Sequence, residues 1–185
     1  MKFAYADPPY LGCGATLYGN LHKDAADWDL LSTHRELVDR LCGEFPDGWA
    51  MSLHSPSLQA ILPMCPLDVR VMAWVKPFCA FKKNVTVAYA WEPVIVRGGR
   101  KRPTELPTVR DWLSEVITLK KGCPGAKPER FVRWLLEVLY VQPDDEFVDL
   151  FPGSGAVQRT WEHFRNSPRL PFMLTDTQAE LEKFA

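Results

Sequence analysis

Short apolar runs alternate with helical patterns along this chain, and that alternation constrains its fold more than any other feature. Six runs have the length and composition of buried strands, and Pro or Gly residues bound them, as is common in parallel sheets. They cover residues 3–6, 49–53, 69–75, 85–96, 147–151 and 172–175. Because strands that alternate with helices are typical of α/β domains, the sequence predicts a mostly parallel sheet with helices on both faces.

Three segments between these runs carry helical signals. Thr33 followed by Glu36 fits a capping box, and apolar residues recur on one face after it. Pro128 suits a first helical position, and an apolar stripe at helical spacing follows it. A third amphipathic segment begins near Val157, after a Gly-rich turn. The sequence therefore predicts helices that begin near residues 33, 128 and 157.

Size and composition indicate one folded domain. The chain has 185 residues, of which 46% are hydrophobic and 24% are charged, values typical of globular proteins. No apolar run approaches the roughly 20 residues that a membrane span needs, and the first residues lack a long apolar signal region. We therefore expect a cytoplasmic protein with a single domain over 1–185, in which 97–126, rich in Arg, Lys, Gly and Pro, form a small insertion or loop.

Cysteine and histidine spacing favours neither disulfides nor metal binding. The five cysteines are odd in number, and no two of them form a C-x-x-C pair. The four histidines show no ligand spacing such as H-x-x-x-H. The sequence therefore predicts reduced cysteines and no metal.

Positive charge is concentrated in one part of the chain. The net charge is only −1, but residues 97–133 carry 10 basic and 4 acidic side chains, a local balance of +6. Such a segment fits a contact surface for a polyanion, and it fits a solvated loop equally well. The candidate phosphate-binding residues are Arg97, Arg100, Lys101, Arg102, Arg110, Lys120 and Lys121.

The segment Asp7-Pro8-Pro9-Tyr10 directly follows the first predicted strand. In α/β sheets, ligands bind beyond the carboxyl ends of the strands. The two prolines remove backbone N–H donors and leave their carbonyl groups free to accept hydrogen bonds. Asp7 adds a carboxylate acceptor, and Tyr10 adds a flat ring suited to stacking on a base. Acceptors beside an aromatic ring suit the exocyclic amino group of a nucleobase, whereas a strand-ending turn with a buried tyrosine is the simpler interpretation.

The segment from Phe147 to Gly155 also runs from a strand into a Gly-rich turn and a helix. Gly153 and Gly155 allow a ligand to approach the backbone closely, and the following helix offers free N–H groups. Asp149 ends this strand, and Asp176 ends the next predicted strand, where Rossmann-like domains hold a ribose. The pattern indicates a nucleotide-like cofactor, although a tight turn with a solvated Asp would have the same sequence.

Together these segments resemble the β-class amino methyltransferases, which methylate exocyclic amines of adenine or cytosine in DNA with S-adenosylmethionine. Asp7-Pro8-Pro9-Tyr10 matches the family's catalytic box, and the segment Asp149-Leu150-Phe151-Pro152-Gly153-Ser154-Gly155 matches its cofactor box. Lys127-Pro128 matches the short box that precedes the cofactor strand. The catalytic box comes first, which is the circularly permuted order of this family.

The resemblance implies a Rossmann-like methyltransferase fold and a role for each matched residue. Asp7 and the Pro8 carbonyl would accept the two amine hydrogens, Pro9 would complete the box, and Tyr10 would stack on a base flipped out of the duplex. Asp149 would face the methionine end of the cofactor, Asp176 its ribose and Lys127 its carboxylate. The remaining cofactor-box residues with an expected binding role are Phe151, Gly153, Ser154 and Gly155.

Several alternatives remain open from the sequence. Asp at the first box position favours adenine N6 over cytosine N4, and Tyr10 favours DNA over RNA adenosine, but neither settles the substrate. A non-catalytic binding module would need degraded boxes, and an NAD oxidoreductase would need the third glycine that the turn lacks. The region 97–126 is short for a target-recognition insertion, which argues against stringent sequence specificity. A homodimer, a separate specificity partner, and a restriction-modification or phage setting all stay open.

Overall fold

A computed structural model describes residues 1–20, 22–78, 85–118 and 126–166 of the chain. Six strands form one sheet: β1 (Lys2–Ala6), β2 (Gly48–Ser52), β3 (Arg70–Val75), β4 (Trp91–Gly98), β5 (Trp112–Ser114) and β6 (Glu146–Asp149). The α-helices are α1 (Leu31–Glu44), α2 (Leu58–Ile61), α3 (Glu129–Val138) and α4 (Ala156–Asn166). Short 3₁₀ turns and one π-helical turn, Gly14–Tyr18, connect them.

The sheet has the strand order β5-β3-β4-β2-β1-β6. Strand β1, next to the edge strand β6, pairs in parallel with both β2 and β6, and β3 pairs in parallel with β5. Only β4 runs in the opposite direction, antiparallel to both β2 and β3. The carboxyl ends of β1, β2, β3, β5 and β6 therefore share one edge of the sheet, together with the amino end of β4.

Helices cover both faces of the sheet. On one face, Phe3 and Tyr5 of β1 pack with α3 and α4 through Phe131 and Trp161. On the other face, neighbouring β1 residues such as Ala4 pack with α1 and α2. All five residues of β2 are buried, as expected for a strand with helices on both sides. The structure confirms the predicted mostly parallel sheet with helices on both faces.

Some predicted elements differ from the structure in their bounds. Residues 85–90 are not strand, because β3 ends at Val75, opposite Trp91, and no partner strand continues beyond that pair among the described residues. Helix α1 begins at Leu31, two residues before Thr33, and its N-cap has no side-chain hydrogen bond, so the predicted capping box is wrong. The predicted strand at 172–175 lies outside the described residues.

The described part of segment 97–126 is more ordered than an inserted loop. Its first residues complete β4, and Trp112–Ser114 form the edge strand β5. Leu113 is buried in the core, whereas Trp112 is exposed with the Arg110 guanidinium over its ring. Sequence reasoning did not predict this strand, because three residues between Asp111 and Glu115 are too few to show an alternating pattern.

No helix among the described residues is long and apolar enough to cross a membrane. Within the same residues, no group of three or more His, Cys, Asp or Glu side chains is arranged to hold a metal ion.

Candidate active site

A cavity of about 670 Å³ lies at the carboxyl edge of the sheet. The chain reaches it from the ends of β1 and β6, from the residues before α3, and from the loop between β1 and α1. Asp7 and Pro9 of the first motif line the same cavity as Gly153 and Ser154 of the second. The remaining lining residues are Tyr5, Tyr18, His22, Asp24, Ala25, Trp28, Ala126, Lys127, Leu150, Phe151, Pro152, Ala156 and Val157. The structure therefore brings together two motifs from opposite ends of the chain.

Lys127 forms the centre of a buried polar cluster beside this cavity. Its Nζ lies 3.0 Å from Asp7 Oδ1 and 3.1 Å from Glu92 Oε2, and it donates to the Tyr10 hydroxyl at 3.2 Å. The Tyr10 hydroxyl in turn lies 3.2 Å from Asp7 Oδ1 and 3.0 Å from Glu92 Oε2. Only 3% of the Lys127 side chain is exposed. Lys127 is therefore bound to two residues of the first motif, Asp7 and Tyr10.

Glu92 is a member of the cluster that the sequence analysis missed. Its second oxygen, Oε1, accepts from Lys76 Nζ at 2.9 Å. Glu92 lies in β4 and Lys76 directly follows β3. Their segments, 74–77 and 91–96, also fit the family's sequence, but sequence reasoning gave neither residue a role, because nothing in their spacing connects them to Asp7 or Lys127. The reversed direction of β4 is what places Glu92, near the start of that strand, at the carboxyl edge of the sheet.

The charges in the cluster shift one another's pKa values. Burial raises the pKa of Asp7 above its ordinary value, and Lys127 offsets only part of that increase. Burial alone would lower the pKa of Lys127, but the carboxylates of Asp7 and Glu92 raise it well above its usual range. Burial would raise the pKa of Glu92, yet Lys127 and Lys76 lower it to about 2. Lys127 and Glu92 are therefore charged at neutral pH.

The Tyr10 ring packs against His54 on the loop after β2. The ring centroids are 5.3 Å apart and the planes differ by 17°, a stacked arrangement. His54 Nδ1 forms a hydrogen bond with the Ser57 hydroxyl. Because His54 occupies one face of the Tyr10 ring, a base stacking on Tyr10 would have to use the opposite face.

The second motif forms a tight turn between β6 and α4. Gly153 has φ +41° and Gly155 has φ +71°, so both occupy the left-handed region that residues with a Cβ rarely adopt. Asp149 Oδ1 accepts a hydrogen bond from the Phe151 backbone N–H at 3.1 Å. Asp149 Oδ2 is buried without a hydrogen-bond partner among the described residues. Burial raises the pKa of Asp149 to about 6.

The loop between β1 and α1 forms the wall opposite this turn, and the sequence analysis did not single it out. Trp28 packs edge-on against Phe151 with ring centroids 5.0 Å apart. Asp29 fixes the loop, because its two carboxylate oxygens accept from the backbone N–H groups of Gly14 and Ala15 at 2.7 and 3.0 Å. Its sequence carries no recognisable motif, although Asp24, Asp27 and Asp29 lie close together in its second half.

Among the described residues, the predicted phosphate-binding side chains do not line the cavity. Because β4 runs away from the cavity, Arg97 lies near its far end, at the sheet edge opposite the cavity, where it pairs with Asp68 at 2.9 Å. Six residues of strand, roughly 20 Å, separate Glu92 from the end of β4. The position of the arginines therefore argues against their contacting a nucleic acid bound at the cavity.

Two more of these arginines bind carboxylates within the protein. Arg100 binds both oxygens of the buried Asp145 at 2.6 and 2.8 Å, and Arg102 pairs with Glu137 at 3.1 Å. Lys101 is exposed next to Arg100 and Arg102, whereas Arg110 is exposed beside the middle of β3, two residues before β5. Lys120, Lys121 and Asp176 lie outside the described residues, so their expected roles stay predictions.

No protein-family model matches the chain, and no curated protein matches it in sequence. Solved structures do match its fold. One is M1.HpyAVI in complex with SAM, with a TM-score of 0.54 and 14% identity over 89% of this chain and 78% of the other. Another is TTHA0409 of Thermus thermophilus, provisionally assigned as a DNA modification methylase and complexed with S-adenosyl-L-methionine. It has a TM-score of 0.51 and 16% identity over 86% of this chain and 76% of the other. The chain therefore has the Rossmann-like α/β fold of these methyltransferase structures.

Proposed function

We propose that this protein is an S-adenosylmethionine-dependent DNA methyltransferase that acts on the exocyclic amine of a flipped-out base, with adenine N6 as its target. One observation carries the proposal: the two motifs that resemble the catalytic and cofactor boxes of such enzymes line a single cavity at the carboxyl edge of the sheet. The methylase TTHA0409 and M1.HpyAVI, which share the fold, were both solved with this cofactor.

The cavity suits the proposed cofactor in size and in the chemistry of its walls. Its volume of about 670 Å³ falls within the range of small-molecule sites. Trp28 and Phe151 offer apolar aromatic surface for an adenine ring, and the turn at Gly153 brings the backbone to the cavity without a side chain. Asp149 directly precedes this wall, and its Oδ2 is buried without a hydrogen-bond partner among the described residues, a need that a ligand donor such as an ammonium group would satisfy.

S-adenosylmethionine supplies the methyl group as an electrophile when it is bound. The residues of the chain have to orient the target nitrogen, because the lone pair of an aromatic amine is delocalised into the ring. Asp7 accepts one amine hydrogen and fixes the nitrogen toward the cofactor wall, so that catalysis is mostly positioning and electrostatic stabilisation. The methylated nitrogen then releases a proton, for which Asp7 is a suitable acceptor because its pKa is raised.

The residues of the first motif favour DNA as the substrate and adenine as the target base. Asp7 and Tyr10 form the sequence variant that the resemblance links to DNA adenine enzymes, although Tyr10 itself does not line the cavity. RNA adenosine and DNA cytosine N4 share this chemistry and are the alternative outcomes of the test. A single domain over 1–185 remains part of the proposal, whereas target recognition by 97–126 stays a prediction that the described arginines, which lie away from the cavity, do not support.

Expression in a host that lacks DNA methylation tests the proposal. Sequencing of the host DNA should reveal N6-methyladenine in cells that make the wild-type protein and none in cells that make Asp7→Ala. Methylated cytosine instead of adenine would correct the base. Methylated adenosine in host RNA, with unmodified DNA, would overturn the DNA assignment.

A further inference from the structure

We propose that Glu92 is a positioning residue that holds Lys127 against Asp7, and that Lys127 serves the catalytic carboxylate instead of binding the carboxylate of the cofactor. This inference rests on the proposed function for its role in catalysis, but the arrangement itself can be tested in the protein without ligand.

The first step is the hydrogen-bonding capacity of Lys127. An ammonium group has three N–H donors and no acceptor. Lys127 directs them at three oxygens of the protein, Asp7 Oδ1 at 3.0 Å, Glu92 Oε2 at 3.1 Å and the Tyr10 hydroxyl at 3.2 Å. All three donors are therefore used, and none is left for the carboxylate of a cofactor unless one of these contacts breaks.

The second step is the position of Glu92 between two lysines. Its Oε2 binds Lys127 at 3.1 Å and its Oε1 binds Lys76 at 2.9 Å, so both oxygens are engaged. The side chains of Lys127, Lys76 and Glu92 are only 3%, 9% and 16% exposed. Together with Asp7 they form a row of alternating charge, Lys76–Glu92–Lys127–Asp7, whose sum is zero. A row of this kind can stay ionised in a buried place because each charge is neutralised by its neighbours.

The third step is the effect of each charge on Asp7. The titratable groups that act on Asp7 from the surrounding elements are Tyr5, Tyr10, Tyr18, Glu92, Lys127 and Asp149, with Lys76 acting through Glu92. Glu92 raises the pKa of Asp7 and Lys127 lowers it. Glu92→Gln keeps a side-chain oxygen that can accept from Lys127, so it removes the charge without releasing the lysine. It should therefore lower the pKa of Asp7 and weaken this carboxylate as a hydrogen-bond and proton acceptor. Removal of the Lys76 charge should have the opposite effect.

The test compares Glu92→Gln, Lys76→Met and the surface control Glu129→Gln, which changes a side chain that is 62% exposed. The pKa of the Asp7 carboxyl group is measured by ¹³C NMR in the protein without ligand. We expect it to fall in Glu92→Gln, to rise in Lys76→Met and to stay unchanged in Glu129→Gln. Shifts in opposite directions cannot come from a general loss of structure, and Lys76→Met alone decides the point if Glu92→Gln does not fold. An unchanged pKa of Asp7 in the folded variants would overturn the proposed arrangement.

Cofactor binding and turnover separate the two roles of Lys127. In Glu92→Gln we expect kcat at saturating S-adenosylmethionine to fall at least about tenfold, with the Kd of the cofactor within about threefold of wild type. A Kd that rises about tenfold while kcat is retained would show that Glu92 orients Lys127 for the cofactor, and would overturn the inference. If the wild-type protein transfers no methyl group to any nucleic acid, the proposed function fails. The NMR result still decides whether Glu92 and Lys76 shift the pKa of Asp7.

Discussion

Asp7 directly follows β1, and its carboxylate faces both a buried polar cluster and the cavity. Its Oδ1 is bound by Lys127 and Tyr10 inside the polar cluster, while the residue also lines the cavity and keeps 22% of its side chain exposed. The bonds to Oδ1 thus fix the orientation of the group, and the carboxylate still faces the space where a target amine would lie. Such preorganisation is what a reaction that depends on positioning requires.

The first prediction concerns this residue. Asp7→Ala should lower methyl transfer by at least about a hundredfold, because it removes an acceptor that contacts the target amine. The affinity for S-adenosylmethionine should change only a few-fold, since the wall from Leu150 to Ser154 is untouched. Calorimetry and a tritiated-methyl assay measure the two quantities, with the exposed Asp144→Ala as the control. A parallel loss of cofactor binding would mean that Asp7 has a structural role.

Asp149 should show a conflict between stability and binding. Burial raises its pKa to about 6, so the folded protein disfavours the ionised form and the wild type loses stability as pH rises from about 4 to about 6. Asp149→Asn does not titrate and lacks that loss. We expect its Tm, relative to wild type and without ligand, to increase with pH across this window. A relative Tm that stays flat or falls would contradict the burial of the charged group.

The same variant should bind S-adenosylmethionine about 10- to 150-fold more weakly, the equivalent of the roughly 1.5–3 kcal/mol of a hydrogen bond to a charged group. Isothermal titration at a pH of about 7.5, where Asp149 is ionised in the wild type, measures this change. An unchanged affinity for S-adenosylmethionine would mean that the unpartnered Oδ2 of Asp149 does not contact the cofactor.

At the scale of elements, the loop between β1 and α1 depends on close backbone packing. A Cβ at Gly14 would collide with the backbone carbonyl oxygen of Ala25, and Asp29 bonds to the N–H of the same glycine. Gly14→Ala should therefore displace the wall that carries Tyr18 and Trp28, lower stability by roughly 1–3 kcal/mol and weaken cofactor binding. Gly43→Ala in α1 is the matched control, because nothing lies within 4 Å of its added Cβ. Denaturant unfolding and calorimetry compare the two, and equal behaviour would contradict the packing argument.

The direction of β4 places the described basic residues that follow it away from the cavity, and this leads to a separate prediction about nucleic-acid binding. Lys101 follows the end of β4 at the edge opposite the cavity, and Arg110 lies beside the middle of β3; both side chains are exposed. Replacing both with Met should leave the salt dependence of duplex binding unchanged. If the basic segment gripped phosphates, the slope of log affinity against log salt would become less steep by about 0.9 for each lost contact. Filter binding over a salt series distinguishes these results, and a flatter slope would place DNA on these side chains.

Sequence reasoning predicted the elements whose signals are local. The apolar runs around Phe3, Trp49 and Phe147 became β1, β2 and β6, because strands buried on both faces are apolar throughout. The reversed direction of β4 could not be predicted, since strand direction depends on the connection and on pairing with distant residues. For the same reason Glu92 and Lys76 escaped notice, whereas Asp7 was found from its place at a strand end.

At the scale of the whole molecule, the two edges of the sheet have different compositions. The carboxyl edge carries the cavity, the Lys127 cluster and the buried, unpartnered Oδ2 of Asp149, so that polar groups lie near the space for a ligand. The opposite edge is closed by ion pairs such as those between Arg100 and Asp145 and between Arg70 and Asp111. The excess positive charge of residues 97–133 is therefore partly neutralised by carboxylates from elsewhere in the chain. The charge balance along the sequence could not show this pairing.

The most direct test of the central claim is methyl transfer by the purified protein under conditions that saturate the cofactor site. Duplex DNA, single-stranded DNA and RNA of mixed sequence are incubated with S-adenosylmethionine, and the products are digested and analysed as nucleosides by mass spectrometry. The account predicts N6-methyladenine in DNA with the wild-type protein and none with Asp7→Ala, although both bind the cofactor. A wild-type protein that binds S-adenosylmethionine but methylates none of these nucleic acids would contradict the account.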